Sequence, residues 1–415
     1  VKLKRQLWVI LHRWAGLSIA LFLVIAGITG AVLPFEEELT FASRPDAAYA
    51  APPRPGARPL DGMTIAERVE RATGAAVPFV TLNVPDDHVV RMFVASRPGG
   101  PALPYDVVWA DPYTGQVRLT YRWGGLSDGL VNVVPFLYSL HYGFIAGDWG
   151  RWAFGIAALV WTIDCFVGFY LTWPVRRVPH RGAASWLARW RPAWRIRRAG
   201  GYKLVFDLHR AGALWLWPML FVFAWSAVAL LLPQVEQPVM RIFGAEQAYQ
   251  PPALARPLAA PPVVMRDAIQ RGTAAFGQIG ARQGFAVERM TGISYDPASG
   301  LYRLMARTSL DASDAAGLTT LWLDGRTGRA VRFDPPQGRT SADAFVTWTE
   351  YLHMADVFGL PYRILVSLFG FAVTMLTVTG VLIWTRKRSA RLLGRNRVPG
   401  VVEFASADLV ATGQL

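Results

Sequence analysis

The chain has 415 residues but only six histidines, so each histidine can be asked individually what it is for. Four of them form two equivalent pairs. His12-Arg13 opens one long apolar run and His209-Arg210 opens another. Leu140-His141 and Leu352-His353 each stand ahead of a further apolar run, with an arginine ten residues later at Arg151 and Arg363. Neutral imidazole is a good axial ligand for haem iron, and a planar macrocycle held between helices needs one ligand from each face. The spacing suggests two ligand pairs at different depths of a membrane, His12 with His209 and His141 with His353. Gly16 and Ala213, each four residues after an inner histidine, could leave room for the face of a flat ring. Arg13, Arg210, Arg151 and Arg363 could pair with its carboxylates. A lone membrane histidine more often packs or hydrogen-bonds between helices, and a lone interfacial arginine often only snorkels. Duplication argues for more. Zinc fits less well, because neither H-E-x-x-H nor a carboxylate beside each pair recurs in both halves.

The remaining candidates are not duplicated. His88 and His180 read as solvated surface residues. Asp164, beside Cys165, falls inside an apolar run, where a carboxylate is costly and invites a functional role such as proton relay. Its counterpart in the second half is Leu376, so the repeat does not support that role, and a local hydrogen-bonded role stands equally.

The elements that must position these residues are membrane spans. Trp14 to Phe35 and Ile364 to Thr385 are uncharged runs of 22, Ala211 to Val235 is one of 25, and Trp152 to Val175 is a run of 24 broken only by Asp164. About 20 helical residues cross a bilayer, so four transmembrane helices are expected. Lys2, Lys4 and Arg5 precede the first, residues 175–203 hold eight arginines and Lys203 with no acid, and Arg386, Lys387 and Arg388 follow the fourth. The positive-inside rule puts all three segments and both termini in the cytoplasm. Residues 36–151, with ten basic and thirteen acidic side chains, are the translocated kind. The net charge of +14 is therefore mainly topology and not a nucleic-acid footprint. A single cysteine excludes a disulfide framework, a Cys-rich zinc site, a thiolate cluster and covalent haem attachment. Ala48-Tyr49-Ala50 resembles a cleavage site but lies too far beyond a run too long for a signal peptide, so an uncleaved first helix is expected.

Between the spans the chain repeats itself. After the first span come a helix over Thr64 to Thr73, β-rich segments Phe79 to Val84 and Val89 to Ser96, and a hairpin over Tyr105 to Tyr121 turning at Asp111 to Gly115. After the third come a helix over Val263 to Phe276, a hairpin over Met290 to Arg307 turning at Asp296 to Gly300, and another over Leu318 to Phe333 turning at Asp324 to Gly328. Asp caps such a turn and Gly supplies its left-handed residue. Gly115 precedes His141 by 26 residues and Gly328 precedes His353 by 25. The resulting fold class is an α-helical membrane protein with internal duplication. Its four transmembrane helices carry two periplasmic α+β modules: helix one (1–35), module one (36–134), outer histidine and helix two (135–175), basic loop (176–203), helix three (204–235), module two (236–345), outer histidine and helix four (346–385), and a tail (386–415).

In this order, over residues 2–388, the two His-Arg helix openings, the paired modules ending at Gly115 and Gly328, and the two Leu-His elements resemble the PepSY-associated transmembrane family of bacterial iron-regulated inner-membrane proteins. Members resemble di-haem ferric-siderophore reductases. The resemblance implies b-type haem at His12/His209 on the cytoplasmic side and His141/His353 on the periplasmic side, with electrons passed outward to a ferric-siderophore or other ferric chelate. Substrate would dock near the outer pair, with Trp123, Tyr138, Tyr142, Trp348 and Tyr351 as wall residues. No G-x-G-x-x-G follows a strand, so the donor is expected to be a separate cytoplasmic carrier or a membrane quinol. Two other classes compete: a binding or regulatory protein whose modules hold a protein or peptide, and a proton-coupled transporter using Asp164. Four spans with one unduplicated carboxylate make a poor transporter.

Overall fold

The computed structural model describes residues 2–175, 185–197, 200–246, 249–313 and 317–395. His180 with the rest of 176–184, residues 198–199 and the tail from 396 lie outside the described residues. The helices are α1 (Lys2–Gly30), α2 (Glu36–Ala42), α3 (Pro45–Ala48), α4 (Gly62–Thr73), α5 (Val133–Gly143), α6 (Gly147–Thr172), α7 (Trp186–Trp190), α8 (Tyr202–Trp215), α9 (Trp217–Leu231), α10 (Pro233–Ile242), α11 (Met265–Gln283), α12 (Ser341–Met354) and α13 (Gly359–Arg395). The strands are β1 (Phe79–Thr81), β2 (Val90–Phe93), β3 (Val107–Ala110), β4 (Val117–Tyr121), β5 (Val287–Asp296), β6 (Leu301–Thr308), β7 (Thr319–Asp324) and β8 (Ala330–Asp334).

Three helices are long and apolar enough to cross a bilayer, those built on α1, α6 and α13. The fourth expected span is instead a bent pair: α8 and α9 meet at 71°. Pro218 lies in the first turn of α9, where it has no N–H to give to the Leu214 carbonyl, and the helix breaks at Leu216. An uncharged run of residues measures length and says nothing of such a break. The halves pack about an approximate twofold: α1 lies against α6, α5 and α13, and α9 lies against α6, α12 and α10, while α8 lies against α13. At the α1–α13 crossing a Cβ on Gly27 would stand 2.7 Å from the Gly370 carbonyl, and one on Gly370 would stand 2.5 Å from the Gly27 carbonyl. Bare glycines let the two backbones touch, the usual solution in apolar surroundings.

Each α+β segment follows the expected order of helix and strands, and the turns are built as their residue types require. Asp111 Oδ1 accepts from the Tyr113 and Thr114 amides, Asp324 Oδ1 does the same for Arg326 and Thr327, and Gly115 and Gly328 have φ of 67° and 71°. The segments are not separate, however. β1 of the first pairs antiparallel with β5 of the second, giving a sheet ordered β1-β5-β6-β7-β8 beside a smaller β2-β3-β4 sheet. One apolar core joins Ile65, Val69 and Val80 to Phe276, Ile293, Leu304 and Leu321. Burying both faces together removes an exposed edge that either segment alone would present.

Candidate functional site: two facing histidine pairs

The bundle brings together the two pairs that spacing suggested. The His12 and His209 rings lie with centroids 6.2 Å apart, and those of His141 and His353 lie 6.3 Å apart. An imidazole nitrogen bonds a transition metal at about 2 Å, and the ring centre sits about 1 Å behind it, so two imidazoles on opposite sides of one metal have centroids roughly 6 Å apart. Both pairs meet that spacing.

The hydrogen bonds fix which nitrogen is available. His12 Nδ1 lies 2.8 Å from Asp164 Oδ1, and His209 Nδ1 lies 2.9 Å from the Leu376 carbonyl, two acceptors that oblige each Nδ1 to carry the proton. At the outer pair Thr29 Oγ1 donates to the Ile25 carbonyl at 2.6 Å and accepts from His141 Nδ1 at 2.9 Å. Ser226 Oγ donates to the Val222 carbonyl at 2.7 Å and accepts from His353 Nδ1 at 2.7 Å. With its one proton given to the helix, each hydroxyl has only lone pairs left for the imidazole. All four histidines are thus assigned as Nδ1–H tautomers with the Nε2 lone pair uncommitted, the arrangement of a metal-ligating histidine held by its second nitrogen.

Space is left beside the rings. A Cβ on Gly168 or Gly380 would stand 3.4 or 3.1 Å from Cε1 of His12 or His209, and one on Gly30 would stand 3.0 Å from Cε1 of His141. Gly16, expected to make room, has nothing within 4 Å of an added Cβ and lines the cavity with Ala213. That cavity, about 1310 Å³, holds His12, His209 and Asp164 among apolar walls, with Arg13 and Arg210 on its lining. The Nε atoms of Arg13 and Arg210 are buried without a hydrogen-bond partner. Buried orphan donors of this kind call for an acceptor. The donor set, the ring spacing, the glycine clearances and the two orphan guanidinium nitrogens fit a haem with carboxylate substituents at the inner pair. Among the described residues no three His, Cys, Asp or Glu side chains converge.

A family model for the PepSY-associated TM region matches residues 9–387, spanning all four histidines. The chain belongs to the PepSY-associated TM family. No curated protein matches it.

Other expected site residues of this PepSY-associated TM protein sort unevenly. Arg210 also binds Asp207, itself fully buried, and the Pro192 carbonyl, which orient its guanidinium. Arg151 is half exposed and only loosely paired with Asp148 at 3.9 Å. Arg363 is spent elsewhere: its guanidinium binds the Pro34 carbonyl at 2.6 Å and Glu38 at 2.7 Å, tying α13 to the chain after α1. Trp123, Tyr138 and Tyr142 form one edge-to-face series, at 5.8 and 5.7 Å between centroids. Trp348 contacts Phe358, but Tyr351 is 4% exposed and belongs to the packed interior, not to a wall. His88 packs half-buried against Phe41 and bonds Asp87, so it is less solvated than its isolation suggested. Cys165 is buried.

Sequence reasoning missed Thr29, Ser226, Gly168 and Gly380. The signal was available: Thr29 and Ser226 each lie seventeen residues after an inner histidine, and Gly168 and Gly380 each lie twenty-seven after an outer one.

Proposed function

We propose that this PepSY-associated TM protein is an inner-membrane oxidoreductase with two b-type haems, passing electrons from the cytoplasmic side or the quinol pool to periplasmic ferric iron held by a siderophore or similar chelate. The reading takes the α8–α9 pair as one broken span and places both termini in the cytoplasm, following the charge distribution. The observation that carries it is the matched state of the four histidines, each pinned through Nδ1 and each with its ring centre 6.2 or 6.3 Å from its partner's, a spacing that suits two axial ligands. Haem iron bound there would supply one-electron transfer without any protein nucleophile or general acid.

The chain's own residues do the rest. Asp164, the Leu376 carbonyl, Thr29 and Ser226 orient the four imidazoles and keep their protons on Nδ1. Arg13 and Arg210 neutralise carboxylates at the inner cavity, which the apolar wall of Leu17, Leu220 and Val373 otherwise keeps dry. Trp123, Tyr138 and Tyr142 offer an aromatic face beside the outer pair for a chelate, with Tyr142 38% exposed. One electron converts the substrate iron from Fe(III) to Fe(II), and a hard-oxygen chelator releases the softer ion.

The test is reduction of a ferric siderophore by the purified protein in proteoliposomes with reductant enclosed, followed by an external Fe(II)-specific chelator. The proposal expects Fe(II) to form outside only when protein spans the vesicle. Equal rates with protein-free vesicles would remove the reductase assignment.

A further inference from the structure

The two halves differ in the group that meets the inner histidines, and Thr379, at 3.3 Å from His209 Nδ1, has Val167 as its counterpart. Twenty-three residues after His141 stands Asp164, and twenty-three after His353 stands Leu376. Both positions serve an inner histidine, but by different chemistry. Leu376 gives its main-chain carbonyl to His209 Nδ1 at 2.9 Å, whereas Asp164 gives a carboxylate to His12 Nδ1 at 2.8 Å. The outer histidines instead bind the hydroxyls of Thr29 and Ser226. A carboxylate draws the N–H toward itself more strongly than a carbonyl or hydroxyl does, leaving Nε2 the better electron donor. The Asp164 side chain is 11% exposed, so little water screens its charge.

We infer that Asp164 is a positioning residue that holds the inner centre at a lower reduction potential than the outer one and so sets the direction of transfer outward. The inference rests on the di-haem reading. A stronger donor and a nearby negative charge both favour the ferric state, which carries one more positive charge than the ferrous. Arg5, Arg13, Arg210, Lys387, Arg388 and Arg391 line the same cavity, Arg210 already paired with Asp207, but the charged group hydrogen-bonded to an inner imidazole is Asp164. In the step so biased, one electron would pass from iron held by His12 and His209, oxidised from ferrous to ferric, to iron held by His141 and His353, reduced from ferric to ferrous. No bond is made or broken and no proton is transferred. The donor that re-reduces the inner centre is the cytoplasmic carrier or quinol already proposed.

The experiment is a spectroscopic redox titration of the full-length protein in detergent. His209→Ala, lacking the inner ligand pair, assigns the outer component. In the wild type the inner component titrates below the outer. Asp164→Asn raises the inner midpoint by about 59 mV or more, a tenfold change in a one-electron equilibrium, and leaves the outer one in place, while Asp164→Glu restores a low inner value. Thr29→Val moves only the outer component. An inner component at or above the outer in the wild type, or one unmoved by Asp164→Asn, overturns the inference. Should Asp164→Asn lose its inner haem, the wild-type order and the Glu variant decide the matter. Two haems in the wrong order sink this inference alone; a wild type without haem sinks the di-haem reading with it.

Discussion

Gly168 and Gly380 occupy equivalent places behind the two inner histidines, where an added Cβ would stand 3.4 Å from His12 Cε1 and 3.1 Å from His209 Cε1. The first distance is ordinary contact, whereas the second requires the ring to shift. Gly380→Ala is therefore expected to weaken inner cofactor binding by about tenfold, or about 1.4 kcal/mol, while Gly168→Ala is tolerated. Haem content of the two purified variants checks this. Equal loss in both would show that the clearance at Gly380 has no special role.

Thr29 and Ser226 bind the outer pair from opposite halves. Replacing either with an apolar residue of similar size leaves a buried Nδ1–H without its hydroxyl acceptor, a cost of about 1–3 kcal/mol. Thr29→Val and Ser226→Ala should each lower the thermal midpoint and broaden the outer haem spectrum, with the inner spectrum unchanged. Thr29→Ser, which keeps the hydroxyl, should behave as wild type.

The arginines divide by what already engages them. Arg363 is held by Glu38, more than half exposed, so Arg363→Gln should cost about 1 kcal/mol or less and leave haem content intact. Arg13→Gln, which removes a buried orphan donor from the inner cavity, should lower inner haem content instead. Pyridine-haemochrome assay of both variants distinguishes them, and haem loss confined to the Arg363 variant would reverse the assignment.

Glu350 on α12 is half-buried, and its desolvation, reinforced by repulsion from Glu236, pushes its carboxyl up from 4.5 to about 7. A raised folded-state value means the folded protein binds this proton more tightly than the unfolded chain. Its contribution is complete below about 4.5 and is lost as pH rises through about 7. The thermal midpoint should therefore fall between pH 5 and pH 8, and Glu350→Gln should flatten that slope. A steeper slope in the variant would contradict the sign.

The juxtaposition of the histidines in two pairs was legible in the sequence because histidine is rare here and the repeat placed each one twice. The hydroxyls of Thr29 and Ser226 were equally periodic but hid among the many Ser and Thr of apolar helices, where most only bond their own backbone, as Thr162 does. The bend after Trp215 was written in Pro218, yet charge-free length alone suggested a straight span. Pairing of Val80 with Ile293 could not be read, since strand pairing across more than two hundred residues depends on how two modules dock and not on local pattern. Tyr351 looked like a wall residue because aromatic residues gather at membrane interfaces, but composition does not say which side of α12 faces inward.

The central claim is that both histidine pairs hold haem. The most direct measurement is the haem-to-protein ratio and visible spectrum, oxidised and reduced, of the detergent-purified protein beside His12→Ala and His353→Ala. The account predicts about two low-spin bis-histidine haems per chain, with the inner one lost in His12→Ala and the outer one in His353→Ala. Haem-free protein from cells amply supplied with haem would contradict it.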